Sequence, residues 1–194
     1  MKIAITGNIG SGKSTFSGFA ADAGFPVLFA DDISKNILEN DEKVRSLVIK
    51  SFGTESFIKD KPNKKFLAEQ IFSNQTKREK IESILHPRVI KSIESSIKNL
   101  LKSNKVIFVE AALIYESDME EMFDYVVLVT AAPELRLQRK LKSGFTEEDF
   151  NNRDSNQIPE DEKKKRADFI FSNDTTIEDL KIKFNLLLLT LGIK

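Results

Sequence analysis

The sequence predicts an α/β fold of three layers, with helices covering both faces of a parallel five-stranded sheet. Three observations predict it. Five short runs, Ile3–Thr6, Pro26–Ala30, Val106–Glu110, Tyr125–Val129 and Phe169–Phe171, alternate with segments of helical period. The runs are apolar throughout rather than at every second position, which suits strands buried on both faces. The first run passes straight into the glycine-rich segment Gly7-Asn8-Ile9-Gly10-Ser11-Gly12-Lys13-Ser14-Thr15. Ligands of such sheets gather at the carboxyl ends of the strands, so the residues just past each run are the ones to weigh for chemistry.

The segment after the first run fits G-x-x-x-x-G-K-[ST], the phosphate-binding loop, between a strand and a helix as that loop requires. Its glycines let successive backbone N–H groups turn toward phosphate oxygens. Lys13 brings a mobile positive charge to the terminal phosphates, and the Ser14 hydroxyl suits the Mg²⁺ that accompanies them. The helix that follows, to about Ala23, aims the positive end of its dipole at the same anion. The expected architecture is therefore a three-layer P-loop NTPase fold that binds a nucleoside triphosphate.

Composition narrows the partners. The 194 residues suit one compact domain with room for an insertion. Thirty Lys and Arg balance thirty Asp and Glu, so no net field draws the protein to nucleic acid or to a membrane surface. There is no cysteine, which excludes disulfides, thiolate metal sites and a cysteine nucleophile. Met1-Lys2 leads directly into the first run without a leader, and Leu186–Leu189 is too short to span a bilayer. A soluble cytoplasmic protein is expected.

The second run ends in Val27-Leu28-Phe29-Ala30-Asp31-Asp32. Phosphoryl transfer to a hydroxyl needs a carboxylate to orient the acceptor and take its proton, and Asp31, at the strand end, is the candidate base. Asp32 reads better as a helix N-cap. The interval 33–104 holds no convincing strand. Its helical patterns, Val44-Leu47-Val48, Phe66-Leu67-Ile71-Phe72 and Ile81-Ile84-Leu85, are punctuated by Pro62 and His86-Pro87. A helical insertion is expected there. His86 is the only histidine, and a lone one is usually structural.

Glu110 closes the third run and reads equally as a metal-water ligand or as a loop-orienting group. Beyond the fourth run, Arg136 and Arg139 sit one helical turn apart and lead into the polar segment 139–166, which also carries Arg153. The segment suits a lid whose arginines neutralise phosphoryl charge, or else a solvated helical pair. Within it, Glu160-Asp161-Glu162-Lys163-Lys164-Lys165-Arg166 offers three i,i+4 ion pairs and reads as structural. A last helix is expected from a capping box, Thr175-x-x-Glu178, with Ile177, Leu180, Phe184, Leu187, Leu188 and Leu191 facing the sheet.

Two absences prune the function. No D-x-x-G occurs, and Asn63-Lys64-Lys65-Phe66 lacks the aspartate of a guanine reader, which removes the GTPases. The chain is short for a motor or transport ATPase. A small phosphotransferase remains, with a nucleotide-dependent binding switch as the alternative of a different class.

At this point the residues resemble a family, the dephospho-CoA kinases, which phosphorylate the ribose 3′-hydroxyl of dephospho-coenzyme A. The likeness runs through Thr6 to Thr15, Phe29-Ala30-Asp31, Leu67 to Phe72, His86-Pro87 and Ala112-Leu113-Ile114-Tyr115-Glu116. It continues through Pro133-Glu134 with Leu137 and Arg139, Arg153 with Gln157, and Ala167 to Asn173. The resemblance implies that Gly10, Ser11, Gly12, Lys13, Ser14 and Thr15 bind ATP with Mg²⁺ and that Asp31 activates the acceptor hydroxyl. It implies too that Arg139 and Arg153 steady the phosphates, while His86 and the loop around Leu113 hold dephospho-CoA. The expected division is a core of 1–32, 105–138 and 167–194, a helical acceptor-binding insertion at 33–104 and a lid at 139–166. Phe29, Ala112 and Ser143 depart from the family's carboxylate, proline and second lid arginine. A nucleoside or nucleotide kinase of the same fold is the nearest alternative.

Overall fold

Ile3, Ala4 and Ile5 lose all contact with solvent, and strand β1 (Lys2–Thr6) accordingly lies in the middle of the sheet. The computed structural model describes residues 1–72 and 74–193. Ser73, in the expected insertion, and Lys194, in the expected core, lie outside the described residues, as does the side chain of Phe72. After β1 come helix α1 (Lys13–Asp22), strand β2 (Val27–Phe29) and helices α2 (Ala30–Asn40) and α3 (Glu42–Phe52). Two-residue strands β3 (Phe57–Ile58) and β4 (Lys61–Pro62) lead to helices α4 (Lys64–Phe72) and α5 (Gln75–Leu100). Strands β5 (Ile107–Glu110) and β6 (Tyr125–Thr130) precede helices α6 (Pro133–Lys142), α7 (Glu147–Asp154) and α8 (Glu160–Arg166). Strand β7 (Phe169–Ser172) and helix α9 (Ile177–Thr190) end the chain.

The five expected runs are the five strands of one parallel sheet, in the order β2-β5-β1-β6-β7. The chain forms two compact units. One comprises Met1–Phe29 with the residues from Ile97 onward, and the other comprises Ala30–Ser96.

The sheet unit is held by phenylalanine. Phe16 on α1 stacks on Phe171 at 5.5 Å and meets Phe184 of α9 edge-on at 5.4 Å. Ile3, Ile5, Phe108, Val127, Val129, Leu180 and Leu187 complete that core. Each such side chain contributes about 1.5–3 kcal/mol by leaving water. Two expectations for α9 shift. Its N-cap is Thr176, whose hydroxyl accepts from Asp179 N at 3.2 Å, while Thr175 Oγ1 donates to Asp179 Oδ2 at 2.5 Å. Ile177, at the first helical position, is 61% exposed and does not face the sheet.

In the Ala30–Ser96 unit, Val44, Val48, Phe57, Leu67, Ile81 and Ile84 form a separate core. Asp41 caps α3 by accepting from Lys43 N and Val44 N. The segment is not strand-free, because β3 and β4 pair as a tight hairpin whose turn residues Lys59 and Asp60 take φ values of 48° and 66°. Pro87 does not interrupt the chain either. Helix α5 runs through it, because burial of Ile84, Val89 and Ile93 outweighs the one backbone hydrogen bond proline removes. The strand before this unit stops at Phe29 and α2 begins at Ala30, so Asp31 and Asp32 lie in a first helical turn. Asp32 is therefore not the N-cap. Negative charge there suits the helix dipole, and Asp32 Oδ1 also accepts from Lys35 Nζ at 2.9 Å.

Candidate phosphate-binding site

The loop after β1 is shaped by what lies behind it. Gly12 has φ 96°, and a Cβ there would collide with Nδ2 of Asn173, the amide that donates to Ser11 O at 2.8 Å. Gly10 has φ 81°, and a Cβ there would stand 2.6 Å from Arg136 O. These two glycines let the loop pass against β7's end and α6, where larger residues would force it outward. Helix α1 starts at Lys13 with no acidic residue in its first turn, so the positive end of its dipole is left for an anion.

Parallel pairing of β1 with β5 sets Ile5 opposite Glu110, which places that carboxylate beside the loop. Glu110 is buried, with Oε1 3.7 Å from Lys13 Nζ and Oε2 accepting from Ser14 Oγ at 3.4 Å. Lys13, Ser14 and Glu110 are thus one cluster at the mouth of the helix. Thr15 follows on the same turn and is exposed. A hydroxyl and a carboxylate this close are two hard oxygens, the donor type Mg²⁺ takes. Mg²⁺ keeps several waters and needs few protein ligands, so the pair fits it. No group of three His, Cys, Asp or Glu able to hold a metal occurs among the described residues.

The polar segment 139–166 is not a solvated helical pair; it docks on the loop. Arg139 donates from Nη1 to Gly10 O at 3.3 Å and from Nη2 to Asn173 O at 2.7 Å. Arg136 is buried, forms a forked pair with Asp154 at 2.5 and 3.3 Å and donates to Ile9 O at 3.3 Å. That guanidinium fastens α7 to the loop. Ile9 N donates to Gln157 Oε1 at 2.7 Å, so the loop backbone is gripped on both sides of Ile9. The Arg153 guanidinium lies 4.7 Å from the ring of Phe145, which Lys140 Nζ also approaches at 4.9 Å.

Lys163 escaped the sequence reading. Of the three i,i+4 pairs expected at 160–166, Glu160–Lys164 forms, while Lys164–Asp161 and Lys165–Glu162 are i,i+3 contacts and Arg166 pairs with Glu120. Lys163 turns inward, is 0% exposed, and pairs with Glu116 Oε1 at 2.9 Å. Burial pushes its pKa down from the ordinary lysine value, and the bond to Glu116 opposes that shift. Next to Glu116, burial pushes the Tyr115 hydroxyl up to about 12.

Gly10, Ser11, Gly12, Lys13, Ser14, Glu110 and Arg139 are thus brought together in the sheet unit. Leu113 lies in the turn after β5, partly buried. Asp31, exposed on α2, and His86, partly buried on α5, belong to the Ala30–Ser96 unit.

Comparison with known proteins gives one consistent result. A family model described as "Dephospho-CoA kinase" matches residues 1–179. A dephospho-CoA kinase of Fusobacterium nucleatum is 35% identical over 187 residues, covering 93% of each chain. The structure of a dephospho-CoA kinase from Campylobacter jejuni superposes with a TM-score of 0.74 at 30% identity, over 98% of both chains. A crystal structure of a Thermus thermophilus protein reaches a TM-score of 0.81, also at 30% identity, over 98% of this chain and 97% of that one.

Proposed function

From the premise that this chain belongs to the dephospho-CoA kinase family, we propose which of its residues carry the family's reaction. That reaction, the last step of coenzyme A biosynthesis, transfers the γ-phosphate of ATP to the 3′-hydroxyl of dephospho-CoA. The observation that carries the assignment is the Lys13–Glu110–Ser14 cluster at the start of α1, in a chain that matches the family over nearly its whole length.

Gly10 to Thr15 hold the ATP phosphates by backbone N–H groups and the dipole of α1. Lys13 lies against the terminal phosphates, where Glu110 limits its wandering. Ser14 and Glu110 would hold Mg²⁺, directly or through water. That ion, when bound, neutralises phosphate charge. Arg139 acts by holding Gly10 and Asn173 in place as well as by its charge, and Arg153 meets the phosphates when the 139–166 lid closes. His86, with the helical unit, and the turn at Leu113 receive dephospho-CoA.

Asp31 orients the ribose 3′-hydroxyl and accepts its proton. The freed oxygen pair forms the bond to the γ-phosphorus as the bridging Pγ–O bond breaks, and its electrons leave on the β-phosphate of ADP. What supports this role is the position of Asp31, two residues past the end of β2. Catalysis on this reading is mostly positioning and charge neutralisation.

Turnover with ATP, Mg²⁺ and dephospho-CoA, beside AMP, CMP, uridine and adenosine as acceptors, with mass spectrometry of products, tests the assignment. A 3′-phosphorylated product from dephospho-CoA alone is expected. Transfer only to a nucleoside or nucleotide overturns the acceptor, and ATP loss without any phosphorylated acceptor overturns the transfer.

A further inference from the structure

The carbonyl of Ala112 faces three donors that come from distant parts of the sheet unit. Thr6 Oγ1, at the last residue of β1, Gln157 Nε2 and Lys163 Nζ each stand 3.4 Å from it. Gln157 also accepts from Ile9 N, so this carbonyl is one residue removed from the phosphate loop. Four residues on, Glu116 Oε1 accepts from both Lys163 Nζ at 2.9 Å and Ile158 N at 2.8 Å. Glu116 Oε2 is buried with no hydrogen-bond partner among the described residues. One turn along α8, Arg166 lies 4.5 Å over the Tyr115 ring and pairs with Glu120. Helix α8 therefore grips the segment between β5 and β6 with two cations spaced i,i+3.

Lys163 is the buried side chain of the seven-residue helix α8, so the pair anchors that helix as well as the turn. Buried ion pairs are weak sources of stability, and apolar replacements of similar volume often serve as well. What such a pair does supply is a fixed geometry. Here the fixed object is the turn that contains Leu113, and it begins two residues after Glu110.

We propose that Lys163 is a positioning residue for the transfer reaction, pinning the Ala112–Glu116 turn to α8 so that the turn meets the acceptor in one register with the phosphate loop. The inference rests on the reading of the Leu113 turn as acceptor-facing. Lys163 touches neither substrate; it acts through Ala112 O and Glu116.

The test compares Lys163→Met, Glu116→Gln and the double variant with the wild type. Melting temperature, ATP affinity by titration calorimetry, and kcat and KM for dephospho-CoA are measured on each full chain. Lys163→Met is expected to raise KM for dephospho-CoA about tenfold or more, with ATP affinity held within about threefold. It should also lower the melting temperature, because it leaves Glu116 buried with one backbone donor. The double variant removes that stranded charge and is expected to regain melting temperature while KM stays high. A double variant with both melting temperature and KM restored overturns the proposal, since the pair would then be structural only. If Lys163→Met fails to fold, the double variant and Glu116→Gln give the same comparison. A wild-type chain that does not phosphorylate dephospho-CoA at all would instead be a failure of the assigned reaction, which the wild-type control reports by itself.

Discussion

Asn173 reaches back 162 residues to hold the phosphate loop, its Nδ2 donating to the Ser11 carbonyl at 2.8 Å from a fully folded position at the end of β7. The same amide fills the space a Cβ on Gly12 would take. Asn173→Ala should weaken ATP binding about tenfold and lower stability by about 1–2 kcal/mol, the worth of a buried hydrogen bond with its partner stranded. Gly12→Ala should abolish measurable ATP binding. Combining the two relieves the collision but not the φ of 96° at residue 12, so nucleotide titration should show only partial recovery.

Removing the ammonium of Lys13 tests the loop itself. Lys13→Ala should weaken triphosphate binding and slow transfer together, each by on the order of a hundredfold. It also leaves Glu110 buried against Ser14 without its 3.7 Å partner. A variant with full activity would mean that the loop does not hold the triphosphate.

For Asp31→Asn the two constants should separate. ATP affinity stays near the wild-type value, because the substitution leaves the loop untouched, while kcat falls on the order of a hundredfold or more. Single-turnover quench with dephospho-CoA reads the chemical step directly. An unchanged rate would take the proton-accepting role away from Asp31.

Alkaline stability should carry the mark of Tyr115. Its folded pKa of about 12 exceeds the unfolded value of 10.0, so its contribution is fully present below pH 10 and is lost as pH rises toward 12. A two-unit shift corresponds to up to about 2–3 kcal/mol. Lys163 works in the opposite sense. Its folded pKa is lowered, so stability gains as pH rises from that value toward 10.5. Tyr115→Phe isolates the first effect. The Tyr115 hydroxyl has no hydrogen-bond partner among the described residues, so the variant should melt no lower than wild type at pH 7 and should pull ahead of it between pH 10 and 12. A parallel pH dependence in the two proteins would refute the assignment to Tyr115.

What was legible in the chain was what short-range pattern encodes. The strands announce themselves because both of their faces are buried, and the loop because its function fixes residue types within nine positions. Helix ends are less legible. Asp32 and Thr175 each had the chemistry of a cap, but α2 begins at Ala30 and the hydroxyl that caps α9 belongs to Thr176. The hairpin at Lys59–Asp60 rests on left-handed residues that are not glycine, and its strands are two residues long, too short to show alternation. Lys163 was hidden for a deeper reason. It is the one cation of the run with no acid four residues before it, since Pro159 stands there, but nothing local says that Glu116, 47 residues away, takes it. In the site, the loop and Glu110 were legible, while the contacts of Asn173, Arg136 and Asp154 depend on tertiary approach that spacing does not report.

The sheet order carries a consequence for how the chain is made. Strand β1 is completed first, yet its neighbours begin at residues 107 and 125, and the amide that fastens the loop arrives at residue 173. On the ribosome the amino-terminal segment must wait unpaired while the Ala30–Ser96 unit, which has a core of its own, emerges and can gather. Nucleotide is thus a late arrival in the life of the polypeptide. A nascent chain stalled before Asn173 would carry the whole motif and still lack the grip that gives the motif its shape.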